Sequence, residues 1–169
     1  TTEIYTLSLH DALPIYYFKD KQDLLFNLLK EMNLNLKVYL NKSISQSDDP
    51  AAKLMIFIRQ AFDLVVNEKD YSYVLFDFWT QINRNEKMKR ANIKLFQSYR
   101  DECSQILKEG IEKGIFKDLD INYHTTIIIS LIQGMIIQYV IDKDAFDYAE
   151  YTDRIIEGIK SFVMKINNQ

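Results

Sequence analysis

A chain of 169 residues with 47% hydrophobic and 27% charged residues has the make-up of one soluble globular domain large enough to bury a sizeable core. Its 21 basic and 24 acidic residues give a net charge of −3, which excludes the strongly basic surface expected of a body that grips nucleic acid by itself. Four glycines and two prolines are few breakers and favour an all-helical fold, and the lone cysteine, Cys103, excludes an internal disulfide and suits a reducing compartment.

Thr1 to Ile15, TTEIYTLSLHDALPI, coincides residue for residue with one reading frame of a widely used short-read sequencing adapter. The segment is therefore expected to be a non-native, adapter-derived fusion to a truncated reading frame, and is set aside as a tag would be. His10, Pro14 and the aliphatic run Leu7, Leu9 and Leu13 then carry no structural signal. Without Glu3 and Asp11 the remainder holds 21 basic and 22 acidic residues and is nearly neutral.

The first complete helix is expected to begin at Asp20, a capping residue, with Asp23 at the third position completing a capping-box-like pair. Leu24, Leu25, Leu28, Leu29, Met32, Leu36, Tyr39 and Leu40 recur at spacings of three and four, which places one apolar stripe on a helix running to about Ser43. Asp49-Pro50 restarts the chain with a capping Asp and a proline at the first helical position. Leu54, Phe57, Ile58, Ala61, Phe62 and Val65 supply that helix with its inner face. A third helix is expected from Asp70, carrying Tyr71, Tyr73, Phe76, Phe78 and Trp79, and Asn83-Arg84-Asn85 interrupts it.

The fourth helix spans Glu86 to Lys113, with Gly110 loosening its last turns and Gly114 in the left-handed cap before Ile115 and Phe116 dock back. Asp118 and Asp120 open a fifth helix extending through Ile141, and after a polar turn around Ala145 and Phe146 the last helix covers about Tyr148 to Lys165. The window Thr126 to Ile141 is interrupted by Ser130, Gln133, Gly134 and Gln138, and is expected to fall short of the roughly 20 apolar residues of a membrane span. With no convincing anchor or native signal peptide, a cytoplasmic protein is expected.

The junction Tyr16-Tyr17-Phe18-Lys19-Asp20-Lys21-Gln22-Asp23-Leu24-Leu25 reads as the last turn of one helix, a short break, and a long helix leaving it. A lysine and phenolic hydroxyls beside a helix N-terminus make a natural phosphate clamp, because the first backbone N–H groups there lack partners. The bland alternative is that Phe18 and one tyrosine pack a hinge while Lys21 is solvated.

This junction closely resembles the tetracycline-repressor-like (TetR-like) family of bacterial one-component regulators at the end of their helix-turn-helix. Two more segments are similar to the family's C-terminal domain: Glu109-Gly110-Ile111-Glu112-Lys113-Gly114-Ile115-Phe116 and Leu131-Ile132-Gln133-Gly134-Met135. Together the resemblance covers most of residues 16 to 165. It implies that Tyr16, Tyr17 and Lys21 contact the DNA backbone, which positions a protein without specifying sequence. The family's usual tyrosine three positions before the Phe is Ile15 here, so the seam is expected to cut the recognition helix. Residues 16–20 would be a remnant of it, residues 21–169 the ligand-binding and dimerisation domain, and the chain as it stands should not bind an operator.

The resemblance further implies a six-helix, all-α bundle that pairs with a two-fold mate through its last two helices, and a pocket between hinge and bundle. Ile127, Ile128, Ile129, Leu131, Ile132, Met135, Ile136, Ile137, Tyr139 and Val140 surround the fifth helix more fully than one core contact needs, so a second covered face is expected. Ile128, Leu131, Ile132, Met135 and Tyr139, with Ile155, Ile159, Phe162 and Ile166 on the last helix, are the candidate homodimer interface, and Gly134 would admit a second backbone. A monomer with a fully buried central helix is the alternative.

A small apolar or aromatic inducer is expected, because sites for such molecules are apolar cavities with a few polar groups. Phe57, Phe62, Phe76, Trp79, Phe96 and Tyr99 are the candidate wall, with Gln133 and Gln138 as orienting groups, although aromatics at helical spacing also build cores. In the resembled family, ligand shifts the population towards an arrangement in which the first complete helix, Leu24 to Leu40, moves the DNA-reading heads out of operator spacing. An enzyme is not expected: no nucleophile–base arrangement, metal spacing or phosphate loop is present, and His124 stands alone near a helix start. No cofactor is implied. The competing reading is a free-standing helical ligand-binding or interaction module that never had a DNA head.

Overall fold

The computed structural model describes residues 18–67, 76–77, 79–80, 82–83 and 85–165. Five long helices account for most of them: α1 (Lys21–Ile44), α2 (Pro50–Asn67), α3 (Glu86–Glu112), α4 (Ile121–Ile141) and α5 (Tyr148–Val163). A sixth, short helical piece appears at 76–77 and 79–80. The fold is all-α, and among the described residues the only extended pairing is an isolated antiparallel bridge between Phe116 and Met164.

Each helix starts where a short polar side chain can satisfy the unpaired first N–H groups. Asp20 Oδ1 accepts from the Asp23 amide at 2.8 Å, while Asp23 Oδ2 reaches back to the Lys19 amide at 3.4 Å. Asp49 does the same for α2 through Ala51 and Ala52. Asn85 Oδ1 accepts from Lys87 and Met88 at the head of α3, Asp120 caps α4 through Tyr123, and Asp147 caps α5 through Glu150. Each cap contributes about 1 kcal/mol.

Helix α2 is the hub and packs against α1, α3, α4 and α5. Its Leu54, Phe57, Ile58 and Phe62 meet Cys103, Ile106 and Leu107 of α3, Ile128, Ile132 and Met135 of α4, and Ile156, Ile159 and Val163 of α5 in one core. Burying each large side chain contributes about 1.5–3 kcal/mol. Tyr148 fastens α5 to this hub: its hydroxyl donates to the Phe62 carbonyl at 3.1 Å, its ring meets Phe62 edge-on, and burial raises its phenol well above the ordinary range. At the other end, Glu109 accepts from both Lys53 of α2 and Lys113, each at 2.7 Å.

The turn after α3 combines two glycines with different tasks. Gly114 has φ of +71°, the left-handed conformation expected of it. Gly110 does not loosen the helix, as its sequence position suggested; it makes room. A β-carbon there would fall inside the ring of Phe116, against Cδ2 and Cε2 and 2.7 Å from Cγ. The fully buried Phe116 is held in that place by its own amide bond to the Gly110 carbonyl and by the Lys117–Val163 and Lys165–Ile115 backbone bonds that clasp the end of α5.

Two further expectations are revised. Leu24 and Leu28, assigned to an inward stripe on α1, are 42% and 40% exposed, while the side chains of Leu25, Leu29, Met32, Leu36, Tyr39 and Leu40 in that stripe lie outside the described residues. Helix α4, expected to be too short and interrupted for a membrane span, has 21 residues and meets the length and composition of one, with 28% of its most apolar window buried. Its inner face, Thr125, Ile128, Ile129, Ile132 and Met135, lies inside the bundle against α2 and α3.

Candidate functional site

Between α1 and α3 the chain leaves a cleft of about 760 Å³, within the size range of small-molecule sites. One wall is α1, whose Phe26, Lys30, Leu34 and Lys37 follow one another at spacings of four, four and three and so project from one face. The other is α3, where Lys87, Arg90, Ala91, Lys94, Leu95, Ser98 and Tyr99 do likewise. Apolar surface from Phe26, Leu34, Ala91, Leu95 and Tyr99 lines most of it, and cations rim it. Because Phe26 lies beside Lys87 and Lys37 beside Lys94, the two helices run in the same direction along the cleft.

The Lys87 side chain makes two contacts at one end of the cleft. Its Nζ sits 4.1 Å over the Phe26 ring, a cation–π contact. It also bonds Asp23 Oδ1 at 3.3 Å, and this, followed by the Lys19 amide, holds the Asp23 carboxyl below the usual range. Asp23 belongs to the first turn of α1, so one lysine links the start of α1 to the start of α3. Arg90 is engaged by Glu86 at 3.3 Å, whereas Lys30, Lys37 and Lys94 form no ion pair among the described residues.

The residues singled out from sequence separate into distinct places. Phe57 and Phe62 are core residues of α2, so they do not line this cleft. Phe76, Trp79, Phe96 and Tyr99 form a ladder of rings with centroids 5.4, 6.4 and 6.5 Å apart. Tyr99 ends that ladder in the cleft, while Phe96 and Gln133 border a separate depression of about 240 Å³ between α3 and α4, together with Arg100, Thr126, Ile129 and Ser130. The indole Nε1 of Trp79 is buried without a hydrogen-bond partner among the described residues. Gln138 is exposed and donates to the Gly134 carbonyl of its own helix.

Of the candidate interface residues, Ile128, Ile132, Met135 and Ile159 are at most 5% exposed within a single chain, so they cannot present surface to a mate. Tyr139 is half-buried and stacks on Tyr148 at 4.1 Å, Phe162 lies 5.8 Å from the His124 ring, and Ile155 packs on the core. Among the described members of the group, Leu131 alone is exposed. His124 Nδ1 is 2.8 Å from the Asp120 carbonyl. Tyr16, Tyr17, Tyr71, Tyr73, Phe78 and Ile166 lie outside the described residues, as do the side chain of Lys21 and residues 1–15.

Reasoning from sequence missed Phe26, Lys30, Leu34, Lys37, Lys87, Arg90 and Lys94. The signal was present as basic residues at helical spacing on both walls, but such residues are ordinarily a solvated face. Among the described residues no group of three or more His, Cys, Asp or Glu side chains could hold a metal ion.

The chain matches the family model of the C-terminal domain of BetI-type transcriptional repressors over residues 50–163. It therefore belongs to that family and is a TetR-like, ligand-responsive transcriptional regulator. It is 23% identical over 155 residues to the fatty acid metabolism regulator protein of Bacillus subtilis (strain 168), covering 89% of this chain and 77% of that protein. Its fold matches a TetR transcription regulator from Haloarcula marismortui ATCC 43049 with a TM-score of 0.80 at 20% identity, covering 90% of this chain and 80% of the other. The Bacillus subtilis regulator FadR, solved in complex with stearoyl-CoA, matches with a TM-score of 0.72 at 23% identity over 88% of this chain and 80% of that one.

Proposed function

We propose that residues 21–169 are the effector-binding and dimer-forming body of a cytoplasmic repressor, and that the effector enters the cleft between α1 and α3. The carrying observation is that α1, which begins three residues after Phe18, contributes a whole wall of the cleft. An apolar ligand there separates or draws together α1 and α3, and so acts on the helix that in this family follows the DNA-reading head, with Tyr16, Tyr17 and Lys21 on the operator backbone. Ligand binding favours one of two α1 positions by its differential affinity for them and needs no catalysis.

The homodimer forms through the outer faces of α4 and α5. Tyr123, Leu131 and Ile141 are exposed on α4, and a β-carbon at Gly134 or Gly158 would have open space around it. A second copy covers that apolar face in an isologous contact.

Two measurements test this. Displacement of a fluorescent apolar dye should weaken at least about tenfold on Leu95→Arg, which puts an uncompensated charge in the cleft floor. Sedimentation should give a dimer that Leu131→Arg converts to monomer. A dye site indifferent to Leu95→Arg removes the cleft reading, and a monomeric wild-type chain removes the dimer.

A further inference from the structure

The α1/α3 cleft has a charge that an apolar or aromatic ligand does not use. Among the described residues Lys30, Lys37, Lys87, Arg90 and Lys94 rim it, with Glu86 the one acid in the lining and Asp23 bonded to Lys87 beside it, in a chain whose 21 basic residues are outnumbered by 24 acidic ones. Glu86 pairs with Arg90 and Asp23 with Lys87, which leaves Lys30, Lys37 and Lys94 without an ion pair among the described residues, and an anion lowers the cost of their mutual repulsion. The floor is nevertheless apolar, and by helix rise the stretch from Phe26 to Lys37 is roughly 16 Å long, enough for an alkyl chain of about a dozen carbons.

We propose that the cleft takes an alkyl chain bearing an anionic head group, and that Lys87 senses the head by exchanging Asp23 for it. This rests on the cleft being the effector site. Among the described residues Lys87 is the one cleft-lining cation bonded to the first turn of α1, at 3.3 Å from Asp23, and it is also stacked 4.1 Å over Phe26 of the cleft floor. A carboxylate or phosphate arriving beside Phe26 therefore competes with Asp23 for the same ammonium group. When Lys87 turns to the ligand, the Asp23 carboxylate keeps, among the described residues, the Lys19 amide at 3.4 Å, and the link between the starts of α1 and α3 opens. Lys30 and Lys94, on opposite walls, supply further positive charge along the chain's path.

The test is equilibrium binding to the full chain of four probes with the same twelve-carbon tail, below their micellar concentrations: dodecanoate, dodecanoyl-CoA, dodecanol and dodecyltrimethylammonium. Both anions should bind at least about tenfold more tightly than the alcohol, with the margin shrinking at high salt, and the cation most weakly. The ratio between the two anions assigns the head as a simple carboxylate or a phosphate-rich group. Asp23→Asn frees Lys87 and should tighten dodecanoate about threefold or more while leaving dodecanol unchanged, and Lys94→Glu should weaken both anions and leave dodecanol unchanged. Equal binding of alcohol and anion overturns the ligand class but leaves the cleft as the site. Dodecanoate affinity indifferent to Asp23→Asn overturns the Lys87 exchange. Failure of all four probes to bind overturns the site reading together with this one.

Discussion

Gly110→Ala is the most informative single substitution in the bundle, because propensity and packing make opposite predictions for it. In an exposed helix the change gains about 1 kcal/mol. Here the new methyl would occupy the space of the Phe116 ring. The ring has no retreat: Phe116 is fully buried, its amide and that of Ile115 both donate to the Gly110 carbonyl, and the neighbouring Lys117–Val163 and Lys165–Ile115 bonds bind the segment to α5. Expelling the ring altogether costs about 3–5 kcal/mol, as for Phe→Ala in a core. Subtracting the helical gain leaves a net loss of about 2–4 kcal/mol. Urea unfolding followed by far-ultraviolet circular dichroism, at fixed protein concentration because the stability of the proposed dimer would depend on it, measures this directly. The double variant with Phe116→Ala isolates the cause: once the ring is gone, Gly110→Ala should be neutral or stabilising. A stabilised Gly110→Ala in the otherwise unchanged chain would refute the close-approach argument.

The Glu109 carboxyl is held below the ordinary range, first by Lys113 and then by Lys53. A depressed folded-state value stabilises the fold at neutral pH and ceases to do so as pH falls through the carboxylate range, so the stability difference between the native chain and Glu109→Gln should be present at pH 7 and close below about pH 4. Because the group is solvent-screened the difference is small, and a gap that widens on acidification would contradict the sign. Cys103 is fully buried, and burial pushes its thiol up to about 12, so iodoacetamide at mild alkaline pH should label it only as fast as the chain unfolds. Immediate stoichiometric labelling of the folded chain would show an accessible thiol instead.

How much of this could be read along the chain depended on the range of the forces involved. The helix starts at Asp20, Asp49 and Asp120 were legible because a cap is a bond between residues two or three apart, and Gly114 because its left-handed backbone is a local requirement. Gly110 was misread because its reason for existing, Phe116, returns to it only when the turn folds back. On α4 the apolar residues surround the axis, so periodicity could not say which face turns inward. Packing against α2 and α3 placed Ile128, Ile132 and Met135 inside and left Leu131 out.

The cleft shows the same division more sharply. Phe26, Lys30, Leu34 and Lys37 on one helix and Lys87, Arg90 and Lys94 on the other are each an ordinary amphipathic pattern. The chain's own letters determined that helices would form, where they would begin, and that the family resemblance would hold, since all three rest on neighbours in sequence. Only the tertiary fold decided that two basic faces some 60 residues apart would stand across a gap with apolar surface between them, because the spacing of α1 and α3 is set by how each packs on α2.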